Sequence, residues 1–248
     1  MKMIGAAKLK KGGRALGKSS LSCDSESHGL MIPCLDVGHG TGESLLLLLS
    51  ETSIERPAEL VGITSLKLHH QRSLERVKKR QEQAKSDTAV ELYHGDAVYD
   101  GNDADHPLSS TTKPFDTILA LDCAYHFNTR RRFLEQSYNK LSVGGSIALA
   151  DICFSSVVHD DRIRSLTRWT LRGLMPSHNM VSAEEYIAQM RQIGFKEVVL
   201  EDVSSDVFPG FIQFLKGMGG GWRIFSWVIS WYASDYVGSR FVIVSGRK

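Results

Sequence analysis

The stretch MIPCLDVGHGTGESLLLLL, residues 31–49, decides the fold of this 248-residue chain. Its apolar first part is typical of a buried strand, and the leucine run that ends it is typical of a helix. Between them lie Gly38, Gly40 and Gly42, and glycine allows positive φ and a close approach of the backbone to a ligand. The free amides at the start of the helix favour a carboxylate or a phosphate. The pattern therefore predicts a strand, a ligand-binding turn and a helix.

The spacing of the glycines distinguishes between kinds of ligand. A dinucleotide turn has the pattern G-x-G-x-x-G, whose third glycine would fall at Glu43. The chain has D-x-G-x-G-x-G from Asp36 instead, which resembles motif I of the class I methyltransferases that use S-adenosyl-L-methionine (SAM), in their small-molecule, type 11-like branch. The resemblance implies SAM as cofactor and S-adenosyl-L-homocysteine as product, with Asp36, Gly38, His39 and Gly40 around the methionine end. A glycine turn without a ligand is the alternative.

Two further predicted strands carry the rest of the expected cofactor site. In most members of this family an acidic residue ends the second strand and binds the ribose hydroxyls. This chain has no acid there, and its Gly-Ile-Thr ending resembles the branch of tocopherol, phosphoethanolamine and cyclopropane-fatty-acid methyltransferases. The Gly-Asp-Ala after the third strand resembles the adenine-binding turn of the family, and a simple turn cap is the alternative. The residues expected at ribose and adenine are Thr64, Ser65, Gly95, Asp96 and Ala97.

The fourth and fifth predicted strands end at candidate catalytic side chains. Methyl transfer from a sulfonium requires alignment and exclusion of water, and a hydroxyl or amine acceptor also requires a base. His126 suits that task because imidazole titrates near neutrality, and the resemblance implies that Asp151 supports it. A histidine that merely packs at the start of its helix is the alternative. Asp122 is the competing catalytic candidate and a cofactor contact, and Tyr125 is expected to contact the acceptor or SAM.

Buried strands alternate with helices along most of the chain. This order predicts an α/β fold: a doubly wound, mostly parallel seven-stranded sheet with helices on both faces and a ligand site at the strand C-termini. The predicted strands after the first are 59–64, 89–94, 115–121, 146–151, 195–203 and 241–245. The predicted helices after the leucine run include 66–85, 129–141 and 182–193, the last with a capping box.

Composition limits the partners. A net charge of +2 does not by itself indicate a nucleic acid or a membrane, and we expect no nucleic-acid partner. The four cysteines lack metal-ligand spacing, so we expect no metal, and they are typical of a reducing compartment. Apolar runs stay short of the roughly 18 residues of a membrane span. We therefore expect a cytoplasmic protein, and the oligomeric state is not indicated.

The N-terminal segment differs from the rest of the chain. Its first 23 residues carry six Lys and Arg side chains and no acid. We expect residues 1–28 to form a solvated basic tail ahead of one domain at 29–248. A transit peptide for organelle import and a flap over the cofactor are the alternatives.

Two segments, near 155–180 and 207–236, are expected to cap the acceptor side. Trp169 and Trp227 in these segments are expected to contact the acceptor. The resemblance to the small-molecule branch implies an acceptor that is small, apolar or aromatic and methylated on O, N or C. We expect 222–232 to be a helix packed on the sheet through its apolar face, with a lid over the acceptor and an interfacial membrane helix as alternatives. The rivals at the level of function are an RNA or protein methyltransferase and a SAM-binding protein without catalysis. The apolar face comprises Ile224, Trp227, Val228 and Trp231.

Overall fold

The computed structural model describes residues 33–50, 56–84, 88–155, 169–170 and 175–248. The basic segment 1–28 and much of the segment 155–180 lie outside these residues. The strands are β1 (Pro33–Val37), β2 (Glu59–Thr64), β3 (Ala89–His94), β4 (Phe115–Leu121), β5 (Leu141–Phe154), β6 (Lys196–Asp202) and β7 (Ser239–Arg247). The α-helices are α1 (Glu43–Ser50), α2 (Lys67–Ala84), α3 (Arg130–Lys140), α4 (Ala183–Ile193), α5 (Ser204–Met218) and α6 (Gly221–Tyr232).

The seven strands form one sheet in the order β3-β2-β1-β4-β5-β7-β6. Neighbouring strands from β3 to β5 are parallel, and β7 runs antiparallel between β5 and β6. The strand order reverses direction at β1 and β4, and ligands of such sheets bind in the crevice at the C-terminal strand ends beside that point. The predicted doubly wound, mostly parallel seven-stranded fold is confirmed.

Alternate residues of β1 enter two different cores. Leu35 and Val37 pack in the larger core, together with α3 and α4 side chains such as Phe133 and Tyr186. Cys34 faces the other side of the sheet, where the leucines of α1 and Val77 of α2 cover it. Helices therefore lie on both faces, and the β1–turn–α1 unit is held between two packed layers.

Element boundaries agree with the sequence patterns except in β5. The strand predicted at 146–151 extends over Leu141–Phe154. Phe115 of β4 pairs with Leu141 and Thr117 pairs with Ser146, so the extra residues of β5 form a bulge. The bulge contains Gly144, whose φ is +80°.

Helix α4 begins and ends as its sequence predicts. The Ser182 hydroxyl accepts from the Glu185 backbone amide, and the Glu185 carboxylate accepts from the Ser182 amide, which is a full capping box. Gly194 ends the helix in the left-handed region, with φ +120°.

Helix α6 differs from its prediction. Ser226 is its buried residue, whereas Ile224 and Trp227 are 65% and 67% exposed. The helix packs against α5, with which it forms a hairpin, and most of its apolar face is exposed. The expectation of a helix packed on the sheet through that face is wrong, because an apolar stripe does not specify what covers it.

Candidate active site

The turn after β1 requires glycine at its first position. The Gly38 amide donates to the Ile63 carbonyl at 2.8 Å, and its φ is +75°. A Cβ added there would lie 2.5 Å from Cys123 Sγ, so both the backbone and the packing exclude other residues. The Cys123 thiol in turn donates to the Val37 carbonyl at 3.2 Å. The turn is thus fixed against the loop that follows β4.

Gly40 differs from Gly38 because the space beside it is open. Its φ is +57°, and the nearest atom to an added Cβ would be Nδ1 of His69 at 4.0 Å. The backbone conformation favours glycine here. The opening beside Gly40, between the turn and the first residues of α2, is where a ligand can approach the main chain.

Asp36 lies beneath this turn as a buried carboxylate. It is fully buried, and neither carboxylate oxygen has a hydrogen-bond partner within the described residues. Burial raises the pKa of Asp36 to about 7, although the nearby Ser44 opposes that effect. An unpaired buried carboxylate is unfavourable, and a cationic group brought beside it would restore its charge. Asp36 is therefore suited to a positively charged ligand.

Histidine side chains lie next to the glycine turn, and the sequence patterns did not predict this grouping. His39 is 6% exposed, and its Nε2 has no partner within the described residues. Burial lowers the pKa of His39 to about 4, so this ring is neutral. His70 of α2 and His94 of β3 lie with ring centroids 5.6 Å apart. Within the described residues, no group of three or more His, Cys, Asp or Glu side chains could hold a metal ion.

The residues predicted at ribose and adenine lie together at the ends of β2 and β3. The Gly95 amide donates to the Thr64 carbonyl at 3.1 Å, which joins the two strand ends. Thr64 and Ala97 are buried, whereas Ser65 and Asp96 are exposed. Asp96 Oδ1 accepts from the Val98 amide at 2.8 Å, so Asp96 does cap its turn. One carboxylate oxygen is used in this way, and the binding roles of all these residues stay predictions.

Asp122 to His126 form the loop beside the glycine turn. Asp122 has φ +63°, an uncommon conformation for a residue with a side chain, and its amide donates to the Ala150 carbonyl at 2.7 Å. The Tyr125 hydroxyl donates to Asp122 Oδ1 at 3.2 Å. Burial, followed by the negative charge of Asp122, raises the pKa of Tyr125, so Tyr125 is a neutral donor. His126 is exposed, with its ring centroid 4.1 Å from that of Tyr125.

Asp151 belongs to a buried network. It is fully buried, and its Oδ2 accepts from Arg130 Nη1 and from the Tyr186 hydroxyl, both at 2.8 Å. Its Oδ1 accepts from the Ile152 amide at 2.9 Å. Core groups therefore engage both carboxylate oxygens, which accounts for a buried carboxylate at this position. A support of His126 by Asp151 stays a prediction.

Asn179 is a site residue that the sequence analysis missed. It is 1% exposed, and its Nδ2 donates to the Tyr125 carbonyl at 3.1 Å and to the Phe127 carbonyl at 2.7 Å. Its Oδ1 accepts from the Arg130 amide at 3.0 Å. Asn179 thus fixes the main chain on both sides of His126. A single asparagine after an irregular segment carries no sequence signal for this role.

Two of the three predicted aromatic acceptor contacts lie on exposed surfaces. Trp169, in the short described piece 169–170, is 72% exposed, and Trp227 lies on the outer face of α6. Their contact with an acceptor stays a prediction. No helix in the described ranges is long and apolar enough to cross a membrane.

Comparison with family models identifies the domain. A model described as "Methyltransferase domain" matches residues 6–200, which is more than half of the chain. The chain belongs to the methyltransferase-domain family. The family predicted from the D-x-G-x-G-x-G turn is thereby confirmed.

This methyltransferase-domain chain also resembles curated proteins. It is 26% identical over 185 residues to erythromycin 3''-O-methyltransferase of Saccharopolyspora erythraea, a match that covers 73% of this chain and 56% of that protein. It is 27% identical over 176 residues to an O-methyltransferase of Aspergillus sclerotiorum, covering 71% and 59% of the two proteins. The chain therefore spans less than two thirds of the length of these relatives.

Solved structures share the fold of the methyltransferase domain. Phosphoethanolamine N-methyltransferase 2 of Haemonchus contortus, solved with SAM, superposes with a TM-score of 0.69 at 16% identity. This match covers 98% of the present chain and 52% of the Haemonchus contortus chain. A cyclopropane synthase of Mycobacterium tuberculosis gives a TM-score of 0.70 at 13% identity, with 98% and 84% covered. At this level of identity the likeness shows the fold alone.

Proposed function

We propose that the protein is a SAM-dependent methyltransferase that acts on a small, apolar or aromatic acceptor. One observation carries the proposal: a buried carboxylate, Asp36, which has no hydrogen-bond partner among the described residues, lies under a glycine turn at the C-terminal edge of the sheet. SAM has two cationic groups, the sulfonium and the α-ammonium, and either would supply a positive partner for the Asp36 carboxylate. The opening at Gly40 would admit the methionine part of the cofactor. When bound, SAM supplies a methyl group on an excellent leaving group.

The residues of the chain have three tasks in this reaction. The glycine turn and Asp36 hold the methionine part, and the strand ends at Thr64, Ser65, Gly95, Asp96 and Ala97 hold the nucleoside. The Asp122–His126 loop, fixed by Asn179, holds the acceptor in line with the methyl group. His126 takes the proton from an acceptor hydroxyl or amine, because it is the exposed imidazole of that loop.

The acceptor class rests on the relatives and on the chain's own surface. The curated relatives described above are named as O-methyltransferases. A hydroxyl acceptor is also the kind that needs the proton transfer for which His126 is placed. The exposed aromatic residues Trp169 and Trp227 would contact an apolar acceptor, with Tyr125 beside it. Incubation of the protein with methyl-labelled SAM and a metabolite extract would identify the labelled product.

The pH dependence of cofactor binding tests the role of Asp36. The pKa of Asp36 is about 7, so its carboxyl is mostly protonated at lower pH. A cation beside it favours the ionised form. SAM binding should therefore release a proton, and affinity should rise with pH by up to about tenfold per pH unit until it levels above pH 7. Titration calorimetry in buffers with different ionisation enthalpies measures both the dissociation constant and the protons released.

The matched variants for this test are Asp36→Asn and Asp116→Asn. An amide at position 36 cannot titrate, so that variant should bind SAM more weakly and with a flat pH profile over the same range. Asp116→Asn removes a half-buried carboxylate at the N-terminal end of β4, at the opposite edge of the sheet, and should keep the wild-type slope. A wild-type protein that binds SAM without releasing a proton would show that Asp36 does not face the cationic part of the cofactor.

The remaining features stay proposals. We propose a single domain at 29–248 that follows a basic segment at 1–28, with acceptor caps at 155–180 and 207–236. Localisation in the cytoplasm, or import into an organelle through the basic segment, is proposed on composition. Removal of residues 1–18 should leave SAM affinity nearly unchanged if that segment is a tail, and should reduce it if the segment is a flap.

A further inference from the structure

The hairpin of α5 and α6 exposes large apolar side chains near its tip. Trp222 is 50% exposed, Met218 is 49% exposed, and Ile224 and Trp227 are still more exposed. The two helices are joined at Gly219 and Gly220, both with positive φ. Single exposed apolar residues are ordinary, but four large ones within residues 218–227 indicate an interaction surface.

The charges toward the tip of the hairpin have one sign. Residues 207–234 contain Lys216 and Arg223 but no Asp or Glu, and the acidic residue of α5, Asp206, lies in its first turn at the base of the hairpin. Both cations are exposed and flank the glycine tip, on either side of Met218 and Trp222. This local excess of positive charge exists although the whole chain has a net charge of only +2. The tip therefore combines apolar surface with positive charge.

We propose that the tip of this hairpin docks on the surface of an anionic lipid bilayer. Tryptophan favours the interface between headgroups and acyl chains, and lysine and arginine extend their charges to the lipid phosphates. Helices of 15 and 12 residues are too short to span a bilayer, so they would lie in the interface. A protein partner of opposite charge would not require so many exposed apolar residues around only two cations.

The base of the hairpin connects this surface to the rest of the fold. Val207 and Phe208 of α5 pack against a small core that includes Ala150, Val203 and Phe241. Helix α5 begins at Ser204, directly after β6, whose C-terminal end lies on the same edge of the sheet as the glycine turn. Docking of the tip would therefore place the C-terminal edge of the sheet toward the bilayer. The proposal goes beyond methyl transfer and does not depend on it. A docked Trp227 would contact lipid in place of the acceptor contact proposed above.

Flotation of the full chain with lipid vesicles tests the proposal. The wild-type protein should float with vesicles of phosphatidylcholine and phosphatidylglycerol, and weakly or not at all with phosphatidylcholine alone. Lys216→Glu with Arg223→Glu should weaken binding to the anionic vesicles by about 30-fold or more. Lys78→Glu with Lys79→Glu, on exposed positions of α2, changes the net charge equally and should leave binding within about threefold.

A second pair of variants tests the apolar contribution. Trp222→Ser with Trp227→Ser should abolish flotation, whereas Leu66→Ser with Leu68→Ser, at exposed positions near the start of α2, should not. Three of the four tryptophans lie on α6. The tryptophan fluorescence emission of the protein should therefore shift to shorter wavelength when anionic vesicles are added.

Three results would overturn the proposal. The first is a wild-type protein that binds neither kind of vesicle, and the second is equal loss of binding in the Lys216/Arg223 and Lys78/Lys79 variants. The third is a wild-type dimer in solution that Trp222→Ser with Trp227→Ser converts to a monomer, because the surface would then join two copies of the chain. Light scattering with size-exclusion chromatography measures this last outcome.

Discussion

Replacement of His126 by alanine should lower the turnover of a hydroxyl acceptor by about 10²–10⁴-fold and leave SAM affinity almost unchanged. The imidazole is exposed at the end of a short 3-10 helix, Ala124–His126, and Asn179 fixes the main chain on both sides of it. Loss of the ring should therefore remove the base without displacing the loop. Single-turnover kinetics with labelled SAM measures the rate, and calorimetry measures the affinity.

His178→Ala is the matched control, since His178 is an exposed histidine of another short 3-10 helix, Ser177–Asn179. It should keep wild-type turnover. Imidazole added to the solution should restore part of the activity of His126→Ala, because a small base can occupy the space that the ring leaves. A structural role of His126 would not respond to imidazole. Full activity of His126→Ala would transfer the role to Asp122, which Asp122→Asn then tests.

Arg130→Ala should destabilise the fold by about 3–5 kcal/mol, the usual cost of removing one partner of a buried ion pair. Arg130 is 1% exposed, and its guanidinium contacts Asp151, the Ile152 carbonyl at 3.1 Å and the Asn179 carbonyl at 2.7 Å. The Tyr186 ring centroid lies 4.1 Å from the guanidinium carbon. Without Arg130, the buried carboxylate of Asp151 would keep only the Tyr186 hydroxyl and one backbone amide.

Thermal unfolding measures this effect. At about 2–4 °C per kcal/mol for a chain of this size, the melting temperature should fall by about 6–20 °C. Arg131→Ala is the control in the same turn of α3, because Arg131 is half exposed and pairs with Glu135 on the surface. Such a pair contributes about 0.2–1 kcal/mol. Equal melting temperatures of the two variants would contradict a stabilising role for the Arg130–Asp151 pair.

The features predicted best are those that neighbouring residues determine. The strand, turn and helix of residues 31–49 follow from a short run of apolar residues and glycines, and each lies where the pattern predicts it within the described chain. The capping box of α4 joins Ser182 to Glu185, three residues later, and is equally local. The doubly wound sheet follows from the alternation of strands and helices along the chain.

The features that were missed depend on distant residues. Arg130 was one of three consecutive arginines, and nothing in their sequence distinguishes the buried one from the exposed pair beside it. Its partners are Asp151, Asn179 and Tyr186, which lie 21, 49 and 56 positions away. The face of α6 was mispredicted for a related reason. An apolar stripe shows which side of a helix avoids water, but the partner of that side depends on the placement of other elements.

The central claim is that the glycine turn binds SAM, and titration of SAM into the wild type, Gly40→Val and Gly144→Val tests it most directly. Both glycines have positive φ, at +57° and +80°, and neither has an atom closer than 4.0 Å to an added Cβ, so the two variants carry similar backbone strain. Gly144 lies near the N-terminal end of β5, away from the turn. We predict one SAM per chain for the wild type and for Gly144→Val. Gly40→Val should bind about 5–150-fold more weakly, corresponding to about 1–3 kcal/mol, because its side chain would occupy the opening that admits the cofactor. Equal affinity in the two variants, or a wild-type protein that does not bind SAM, would contradict the claim.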